Sequence, residues 1–374
     1  MRPLAIVGCG FVADLYMRSF ATFPHVQISA AFDRDENRLS AFCSHWDVEA
    51  AASLDEMLSE LPEGSLVLNL TNPGSHREIN EACLIAGHHV YSEKPLAVSM
   101  AEAQSLHALA AESGLQLASA PCSVLGEAAQ TMGKALRDDV AGQPRLIYAE
   151  LDDGFIPQAP YQDWKSESGA TWPAGDEFRV GCTLEHAGYY LAWLISWFGP
   201  VRRVVAASAE VLPEKDPNGE GTPDVSVASL FFENGPMVRL TCSIVASHNH
   251  QIQIFGDKGV LEVKKAWDNN APVGFRKRMT IRRKLIESPI ARRIRIAGQT
   301  HPKVKRWGAA AMNFALGPME MLDAIEAGLP SRLSGDFALH LNEVTLAIQN
   351  AGDTAGAQDM TTSCKVMEPM PWAL

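Results

Sequence analysis

Short apolar runs alternate with amphipathic stretches between residues 4 and 119. Five of the runs predict strands, at 4–8, 27–33, 66–70, 89–92 and 116–119. The intervening stretches repeat apolar residues at helical spacing, at 12–23, 36–45, 54–61, 75–86 and 100–113. Strands that alternate with helices in this way are typical of a parallel sheet covered on both faces. We therefore predict an α/β fold that begins with a Rossmann domain, a doubly wound parallel sheet, over residues 1–122.

The pattern changes in the second half of the chain. One predicted helix at 126–137 is followed by longer strand-like runs, at 146–152, 201–211, 225–232, 237–247 and 252–255. Asn234 and Gly235 separate two of these runs and predict a hairpin, because both residues tolerate the positive φ of a tight turn. Further helices are predicted at 184–198, 312–327 and 336–351. We predict a C-terminal α+β domain over 123–374 with a large, mostly antiparallel sheet.

Sheet type, charge and cysteine content indicate which partners and which cellular compartment to expect. A sheet of this kind leaves one face for a partner to cover, so we predict a homodimer or homotetramer. The net charge of -12 argues against nucleic acid as a partner. Seven cysteines without a C-x-x-C pair predict reduced thiols in a cytoplasmic protein. The longest strongly apolar stretch, 187–198, is too short to cross a bilayer.

One basic segment departs from the acidic balance of the chain. Within an insertion that we place at about 270–306, twelve Lys or Arg residues between Arg276 and Arg306 stand against a single acid, Glu287. Isoleucines and a leucine are interspersed among these charges. Three interpretations are open: an amphipathic surface for an anionic membrane, an arm that reaches an acidic neighbouring subunit, or a mobile and solvated insertion.

A nucleotide-binding fingerprint follows the first predicted strand. In Gly8-Cys9-Gly10-Phe11-Val12-Ala13, the first glycine permits a tight turn and the second lets the backbone approach a pyrophosphate. Asp33 ends the second strand, where a carboxylate accepts hydrogen bonds from the adenosine ribose. This carboxylate repels a 2′-phosphate and therefore indicates NAD. The neighbouring Arg34 leaves NADP open, because a guanidinium can pair with that phosphate.

Three further motifs carry a resemblance to a known family. Thr71-Asn72-Pro73-Gly74-Ser75-His76 follows the third strand, Glu93-Lys94-Pro95 follows the fourth, and Glu185-His186-Ala187-Gly188-Tyr189 opens the apolar helix. With the fingerprint, these motifs resemble the glucose-fructose oxidoreductase, inositol dehydrogenase and MocA (Gfo/Idh/MocA) family. Two positions depart from the family pattern, since Glu185 replaces the usual Asp and Tyr189 replaces the commoner His.

The fingerprint and the resemblance together imply an NAD site, with NADP as the alternative. The expected cofactor-binding residues are Gly8, Gly10, Phe11, Val12, Asp33, Arg34, Thr71, Asn72, Pro73, His76, Glu93 and Lys94. No metal is predicted. His88, His89, His248 and His250 are interpreted as structural, because no carboxylate or cysteine stands at ligand spacing from them.

The predicted catalytic residues are Lys94, Glu185, His186 and Tyr189. Lys94 lies at the carboxyl end of a parallel strand, where such sheets bind ligands, and the resemblance implies that it contacts substrate and cofactor. Glu185 and Tyr189 are four residues apart and share one helical face. Two proton relays stay open: Tyr189, with a pKa lowered by Lys94, or His186, with an ordinary pKa near neutrality.

Polar and aromatic residues in the loop from 152 to 179 predict the substrate pocket. Aromatic faces combined with charged groups suit a polyhydroxylated ring. The expected substrate-binding residues are Lys94, Asp153, Trp164, Trp172, Arg179 and Tyr189.

The combined prediction is an NAD(P)-dependent oxidoreductase. It is expected to transfer a hydride between nicotinamide and a secondary hydroxyl of a sugar, a sugar derivative or a cyclitol. Two alternatives are a glycoside-cleaving enzyme of the same fold that uses NAD, and a catalytically silent NAD-binding sensor or regulator.

Overall fold

A five-stranded parallel sheet forms the first half of the protein. The structure is a computed structural model that describes residues 2–216, 221–306 and 308–374. The strands are β1 (Arg2–Val7), β2 (Val26–Phe32), β3 (Leu66–Asn69), β4 (His89–Ser92) and β5 (Leu117–Ser119), in the order β2-β1-β3-β4-β5. The helices between them are α1 (Phe11–Phe20), α2 (Glu36–Trp46), α3 (Leu54–Glu60), α4 (His76–Ile85) and α5 (Met100–Glu112). The predicted Rossmann fold is confirmed.

The strand order creates the crevice in which a ligand can bind. The chain leaves β1 for β2 on one side of the sheet and then crosses to β3 on the other side. Loops after β1 and β3 therefore diverge, and an opening remains at their carboxyl ends. Side-chain caps begin three of the flanking helices, α2, α3 and α5. At α2, the carboxylate of Asp35 accepts hydrogen bonds from the backbone N–H groups of Asn37 and Arg38.

A ten-stranded sheet dominates the second half. Its strands are β6 (Pro144–Asp152), β7 (Val201–Ala209), β8 (Val225–Phe232), β9 (Met237–Ser243), β10 (Ile252–Gly256), β11 (Gly259–Val263), β12 (Val273–Ile281), β13 (Lys284–Glu287), β14 (Arg292–Ile294) and β15 (Ala357–Asp359). The order is β13-β12-β11-β10-β6-β9-β8-β7-β15, with β14 paired to β12. Among these described strands only β6 and β9 pair in parallel, so the predicted, mostly antiparallel sheet is confirmed.

Five α-helices among the described residues lie in the second half of the chain. They are α6 (Glu127–Arg137), α7 (Ala174–Val180), α8 (Gly188–Phe198), α9 (Leu316–Glu326) and α10 (Asp336–Gln349). A π-helical turn, Thr183–Ala187, runs directly into α8. Because α8 is apolar around nearly its whole circumference, it is buried on all sides, and Trp193 is completely inaccessible. The boundary between residues 122 and 123 stays a prediction.

The structure alters two details of the sequence-based expectation. Asn234 and Gly235 do connect an antiparallel pair, β8 and β9, but neither residue has a positive φ. The reason is loop length, since four residues rather than two lie between the strands. The strands β11 to β15 were not predicted, because their short or heavily charged sequences lack a clear alternation of apolar and polar positions.

The basic segment forms part of the sheet edge. β12 extends beyond the body of the sheet and pairs with β13 and β14, which leaves Leu285 and Ile290 exposed among the arginines. Arg276 and Arg278 form ion pairs with Glu262 and Glu287. Contact of this hairpin with a membrane or a neighbouring subunit stays a prediction. Among the described residues, no helix is long and apolar enough to span a bilayer.

The close approach of α9 to β4 gives a stability prediction. A Cβ atom on Gly317 would overlap the ring and hydroxyl of Tyr91, which is fully buried. We expect Gly317→Ala to lower the free energy of unfolding by about 1–3 kcal/mol, the usual cost of overpacking a core. Thermal denaturation followed by circular dichroism measures this effect.

A second glycine provides the control. Gly175 is also helical, and no atom lies within 4 Å of its added Cβ. We expect Gly175→Ala to be neutral or to stabilise the protein by up to ~1 kcal/mol, because alanine has the higher helix propensity. Equal melting temperatures for the two variants would contradict the proposed close packing.

Candidate active site

A cleft of about 1230 Å³ opens at the carboxyl ends of β1, β3 and β4 and is closed by residues of the second half. All but two of the predicted site residues line it. From the Rossmann half these are Gly8, Gly10, Phe11, Val12, Asp33, Arg34, Thr71, Asn72, Pro73, Glu93 and Lys94. From the second half they are Asp153, Trp164, Trp172, Glu185, His186 and Tyr189. The two exceptions are His76 and Arg179.

The two glycines of the fingerprint have different structural roles. Gly8 has φ +95°, and a Cβ there would lie 2.7 Å from the Leu70 carbonyl carbon and the Thr71 nitrogen. A Cβ added at Gly10 would have no atom within 4 Å, and Gly10 precedes α1, whose N-terminus has no side-chain cap. Free backbone N–H groups at a helix N-terminus attract anions. The open space and these donors fit a pyrophosphate.

Asp33 is held in place at the end of β2. Its carboxylate accepts hydrogen bonds from the backbone nitrogens of Cys9 (2.8 Å) and Asp35 (2.9 Å). Arg38 forms an ion pair with it at 3.4 Å. Asp33 therefore joins the fingerprint turn to the end of β2, and it lines the cleft together with the exposed Arg34. This donor and acceptor set fits the adenosine end of a dinucleotide.

His76 supports the cleft wall from behind. The residue is completely buried, and its ring nitrogens lie 2.7 Å from the carbonyl oxygen of Pro95 and 3.0 Å from that of Thr71. His76 is not among the residues that line the cleft, and its contact with the cofactor stays a prediction. Its ring instead ties the loop after β3 to the loop after β4, a contact between residues 19 apart that the motif alone did not reveal.

Lys94 is positioned through its neighbour Glu93. The Glu93 carboxylate accepts hydrogen bonds from the Tyr16 hydroxyl (2.6 Å) and from the Lys94 backbone nitrogen (3.0 Å). The Lys94 ammonium then reaches across the cleft and forms an ion pair with the buried carboxylate of Glu185. This contact joins the Rossmann half to the helix that follows Glu185.

Glu177 completes this charged group, and no sequence motif pointed to it. Burial alone lowers the pKa of Lys94, but Glu185 and then Glu177 outweigh burial, and the pKa is raised overall. Burial, reinforced by the Glu185 carboxylate, raises the pKa of Glu177 to about 7. The only signal in the sequence is its place beside Asp176, in a loop already predicted to bind substrate.

The Tyr189 side chain is buried from solvent within the cleft. Its ring centroid is 4.8 Å from that of Trp267, and the residue is buried. Burial raises the pKa of the Tyr189 hydroxyl, and the charge of Lys94 only partly opposes this effect. The predicted net lowering of this pKa is wrong, because the sequence does not show how completely the hydroxyl is desolvated.

Asp153 holds two imidazole rings at the same end of the cleft. His186 Nδ1 lies 2.9 Å from Asp153 Oδ2, and His250 Nε2 lies 2.6 Å from Asp153 Oδ1. Burial lowers the pKa of His186, but the Asp153 carboxylate outweighs it and raises the pKa to about 9. Despite burial, the imidazole of His186, followed by that of His250, holds the pKa of Asp153 well below its usual range.

These contacts change three expectations. His186 does not keep an ordinary pKa, and each carboxylate oxygen of Asp153 already faces a histidine. His248 and His250, interpreted as structural, both line the cleft. His88, in contrast, is buried with its Nε2 2.9 Å from the Leu58 carbonyl oxygen. Among the described residues, no group of histidine, cysteine and carboxylate side chains is arranged to hold a metal.

A loop from the second half closes the cleft against α1. The buried carboxylate of Asp14 accepts hydrogen bonds from the backbone nitrogen (3.1 Å) and hydroxyl (2.7 Å) of Ser168. Arg18 pairs with Glu167 at 3.3 Å. The rings of Trp164 and Trp172 pack edge to face 5.3 Å apart in this loop. The loop therefore presents aromatic surface to the cleft and limits access by water.

Arg179 lies outside the cleft. Its side chain is largely exposed and pairs with Asp176 at 3.5 Å and with Asp216 at 3.8 Å. The prediction that Arg179 binds substrate is not supported by this placement. Its position on the outer face of the short helix α7 explains the difference, because Glu177 of the same helix faces the cleft instead.

Family models and curated proteins match most of the chain. Residues 3–120 match the model described as "Oxidoreductase family, NAD-binding Rossmann fold", and residues 129–262 match the "GFO/IDH/MocA C-terminal domain". Trans-1,2-dihydrobenzene-1,2-diol dehydrogenase from Mus musculus is 25% identical over 266 residues, 70% of this chain and 74% of that protein. D-apiose dehydrogenase from Paraburkholderia graminis is 24% identical over 269 residues, 69% of this chain and 66% of that protein.

Solved structures show the same fold at lower sequence identity. The aldose-aldose oxidoreductase from Caulobacter crescentus, complexed with glycerol, superposes with a TM-score of 0.74 at 17% identity. The match covers 96% of this chain and 99% of that chain. Both halves of the present chain, and not the Rossmann half alone, therefore share their arrangement with that protein.

The placement of Asp33 gives a cofactor prediction. We expect the parent protein to bind NAD more tightly than NADP, because the Asp33 carboxylate repels a 2′-phosphate. Asp33→Ser removes that charge, so the ratio of the two dissociation constants should narrow or reverse. Both affinities should also fall, since the Cys9 nitrogen loses its carboxylate acceptor. Fluorescence titration with each dinucleotide measures the ratio.

Asp35 provides a matched control for this substitution. It lies two residues away, is not among the cleft-lining residues, and caps α2, a role that serine also performs. Asp35→Ser should leave the ratio of dissociation constants unchanged. Equal affinities for NAD and NADP in the parent protein would refute the assignment of Asp33.

Proposed function

The chain belongs to the Gfo/Idh/MocA family of NAD-binding oxidoreductases, and we propose that it acts on a secondary hydroxyl of a sugar, a sugar derivative or a cyclitol. The observation that carries this proposal is the ion pair between Lys94 and Glu185 inside the cleft. The pair holds the positively charged Lys94 side chain in one orientation, near Tyr189 and at the carboxyl end of β4.

A hydride transfer needs stabilisation of the charge that develops on the reacting oxygen. Bound nicotinamide supplies the hydride chemistry, and the residues around Gly8, Gly10 and Asp33 would hold its dinucleotide. The Lys94 ammonium donates a hydrogen bond to the reacting oxygen and stabilises its alkoxide character. Glu185 orients Lys94 for this role, and burial of the pair from water strengthens the interaction.

Tyr189 acts as a hydrogen-bond donor in this proposal. Its raised pKa keeps the phenol protonated near neutral pH, so it is not a source of phenolate. The Tyr189 hydroxyl binds the reacting oxygen or an adjacent substrate hydroxyl. Packing of its ring against Trp267 sets the orientation of that hydroxyl.

Aromatic surface and the named relatives support a polyhydroxylated substrate. Trp164, Trp172 and Trp267 line the cleft together with hydrogen-bonding side chains, a combination that suits the apolar faces and hydroxyl edges of a ring. The curated relatives include a dehydrogenase of a vicinal diol and a dehydrogenase of D-apiose. A ring or chain with neighbouring hydroxyls is the chemistry that these names share.

The assembly and the compartment are further parts of the proposal. Val205 and Val227 are exposed on neighbouring strands of the large sheet, which supports a homodimer or homotetramer formed through that face. All seven cysteines are free, and six of them are buried, which supports a cytoplasmic location. Multi-angle light scattering tests the first point directly.

A substrate panel separates this proposal from its alternatives. We expect at least one sugar, sugar acid or cyclitol to reduce NAD, or its keto form to oxidise NADH. The measurement is the near-ultraviolet absorbance of reduced nicotinamide, with product analysis for mixtures that show no net change. Glycoside cleavage without net redox would support the glycoside-cleaving alternative. Cofactor binding without any conversion would support the sensor.

Lys94 gives the sharpest prediction on turnover. Lys94→Met keeps most of the side-chain volume and removes the positive charge. We expect turnover to fall about a hundredfold or more, the usual scale for losing an electrostatic or acid–base group. Dinucleotide affinity should change little, because Gly8, Gly10 and Asp33 are untouched. Steady-state kinetics and a cofactor titration measure the two quantities separately.

A second lysine serves as the control for this variant. Lys264 is exposed and does not line the cleft. Lys264→Met should therefore retain the turnover of the parent protein. Near-parent turnover in Lys94→Met would overturn the assigned role of Lys94.

A further inference from the structure

Asp153, His186 and His250 form a buried charged cluster beside the residues of the proposed mechanism. They come from three separate elements: the end of β6, the π-helical turn before α8, and the segment before β10. Their side chains are only 9%, 15% and 8% exposed, respectively. Each carboxylate oxygen of Asp153 faces one imidazole.

The contacts decide which nitrogen of His186 is available. His186 uses Nδ1 toward Asp153 at 2.9 Å, which leaves Nε2 as its remaining polar atom in a residue that lines the cleft. His186 Nδ1 and the Asp153 oxygen form an ion pair without the angular geometry of a hydrogen bond, and the carboxylate beside Nδ1 stabilises the imidazolium form of His186. His250 uses Nε2 on the other oxygen and thereby fixes the carboxylate from the opposite side.

We propose that His186 is the residue that gives a proton to the reacting oxygen in reduction and removes it in oxidation, with Asp153 and His250 as its positioning residues. The proposal rests on the proposed hydride transfer. In reduction, bound reduced nicotinamide would supply the hydride to the carbonyl carbon, and the π electron pair would move onto oxygen. That oxygen takes the proton from His186 Nε2. The neutral imidazole then regains a proton from solvent, and oxidation is the reverse.

Lys94 and Tyr189 are poorly suited to this transfer. Lys94 is paired with Glu185, and its raised pKa keeps the ammonium protonated. Burial raises the pKa of Tyr189, and the nearby carboxylates of Glu93 and Glu177 act in the same direction. His186 combines a fixed orientation with a pKa of about 9, the value closest to neutrality among the three.

Charges on several elements act on His186. Burial lowers its pKa, Asp153 and Glu177 raise it, and Lys94 lowers it. His250, His248 and Lys265 line the same end of the cleft. Since the net pKa is about 9, the acid form predominates at neutral pH. Reduction therefore falls as the pH rises through about 9, whereas oxidation rises over the same interval.

An NMR titration tests the cluster without any substrate. The protein is labelled at the histidine Cε1 carbon, and the His186 signal is assigned from its loss in His186→Gln. We expect a midpoint near 9 in the parent, a fall to 6.5 or below in Asp153→Asn because burial then dominates, and recovery in Asp153→Glu. Melting curves confirm that each variant is folded. A parent midpoint near 6.5, or no change in folded Asp153→Asn, would overturn the proposal.

Kinetics on a substrate from the panel test the role in transfer. His186→Gln should lower kcat for reduction by about a hundredfold with little change in KM. The inflection near pH 9 should move down in Asp153→Asn and remain in Tyr189→Phe. Loss of the inflection in Tyr189→Phe, or its persistence in His186→Gln, would refute the role of His186. Absence of turnover with every compound would instead refute the proposed function.

Discussion

The Lys94 ammonium, buried at the end of β4, is the constraint on which the site depends. A charge removed from water needs a partner with good geometry, because breaking a buried pair leaves an uncompensated charge. The partner is Glu185, 91 residues away and in the other half of the chain. This pair therefore sets where the π-helical turn and α8 lie relative to the Rossmann sheet. Two hydrogen bonds in the interior of the first half also fix the Lys94 backbone. The Glu93 carboxylate accepts one from the Lys94 backbone nitrogen and one from the Tyr16 hydroxyl.

The protonation states of the other site residues depend on pairs of opposite charges that are largely shielded from solvent. The carboxylates of Glu185 and Glu177 act on Lys94, and the carboxylate of Asp153 acts on His186. In each case the nearby carboxylates raise the pKa of the basic group more than burial lowers it, so the protonated form is stabilised. At Tyr189 burial dominates instead, and its hydroxyl stays neutral. The cleft consequently offers hydrogen-bond donors and a positive charge to a substrate oxygen, which is the arrangement that an alkoxide-like transition state requires.

Closure of the cleft connects this electrostatic arrangement to the fold. The loop that carries Trp164 and Trp172 returns to α1, where Asp14 accepts two hydrogen bonds from Ser168. Asn72 donates a hydrogen bond to Asp176 at 3.1 Å on the other side of the opening. These contacts join the two halves at points on either side of the charged residues. Water exclusion and charge pairing therefore depend on the same packing of the halves.

The sequence by itself determined the elements whose cause is local. Helix and strand periodicity predicted the parallel sheet and the first five strands of the second sheet. The spacing of Gly8, Gly10 and Asp33 predicted the nucleotide site, because turns and strand ends depend on neighbouring residues. Lys94 was predicted from its place at a strand end and from the resemblance of Glu93-Lys94-Pro95 to the family motif. Only the tertiary structure decided that His76 and Arg179 lie outside the cleft, that Glu177 and His250 lie within it, and in which direction the pKa values of Tyr189 and His186 move. Those properties depend on desolvation and on charges that the fold brings together from distant parts of the chain. The periodicity of the sequence shows neither the desolvation nor the distant charges.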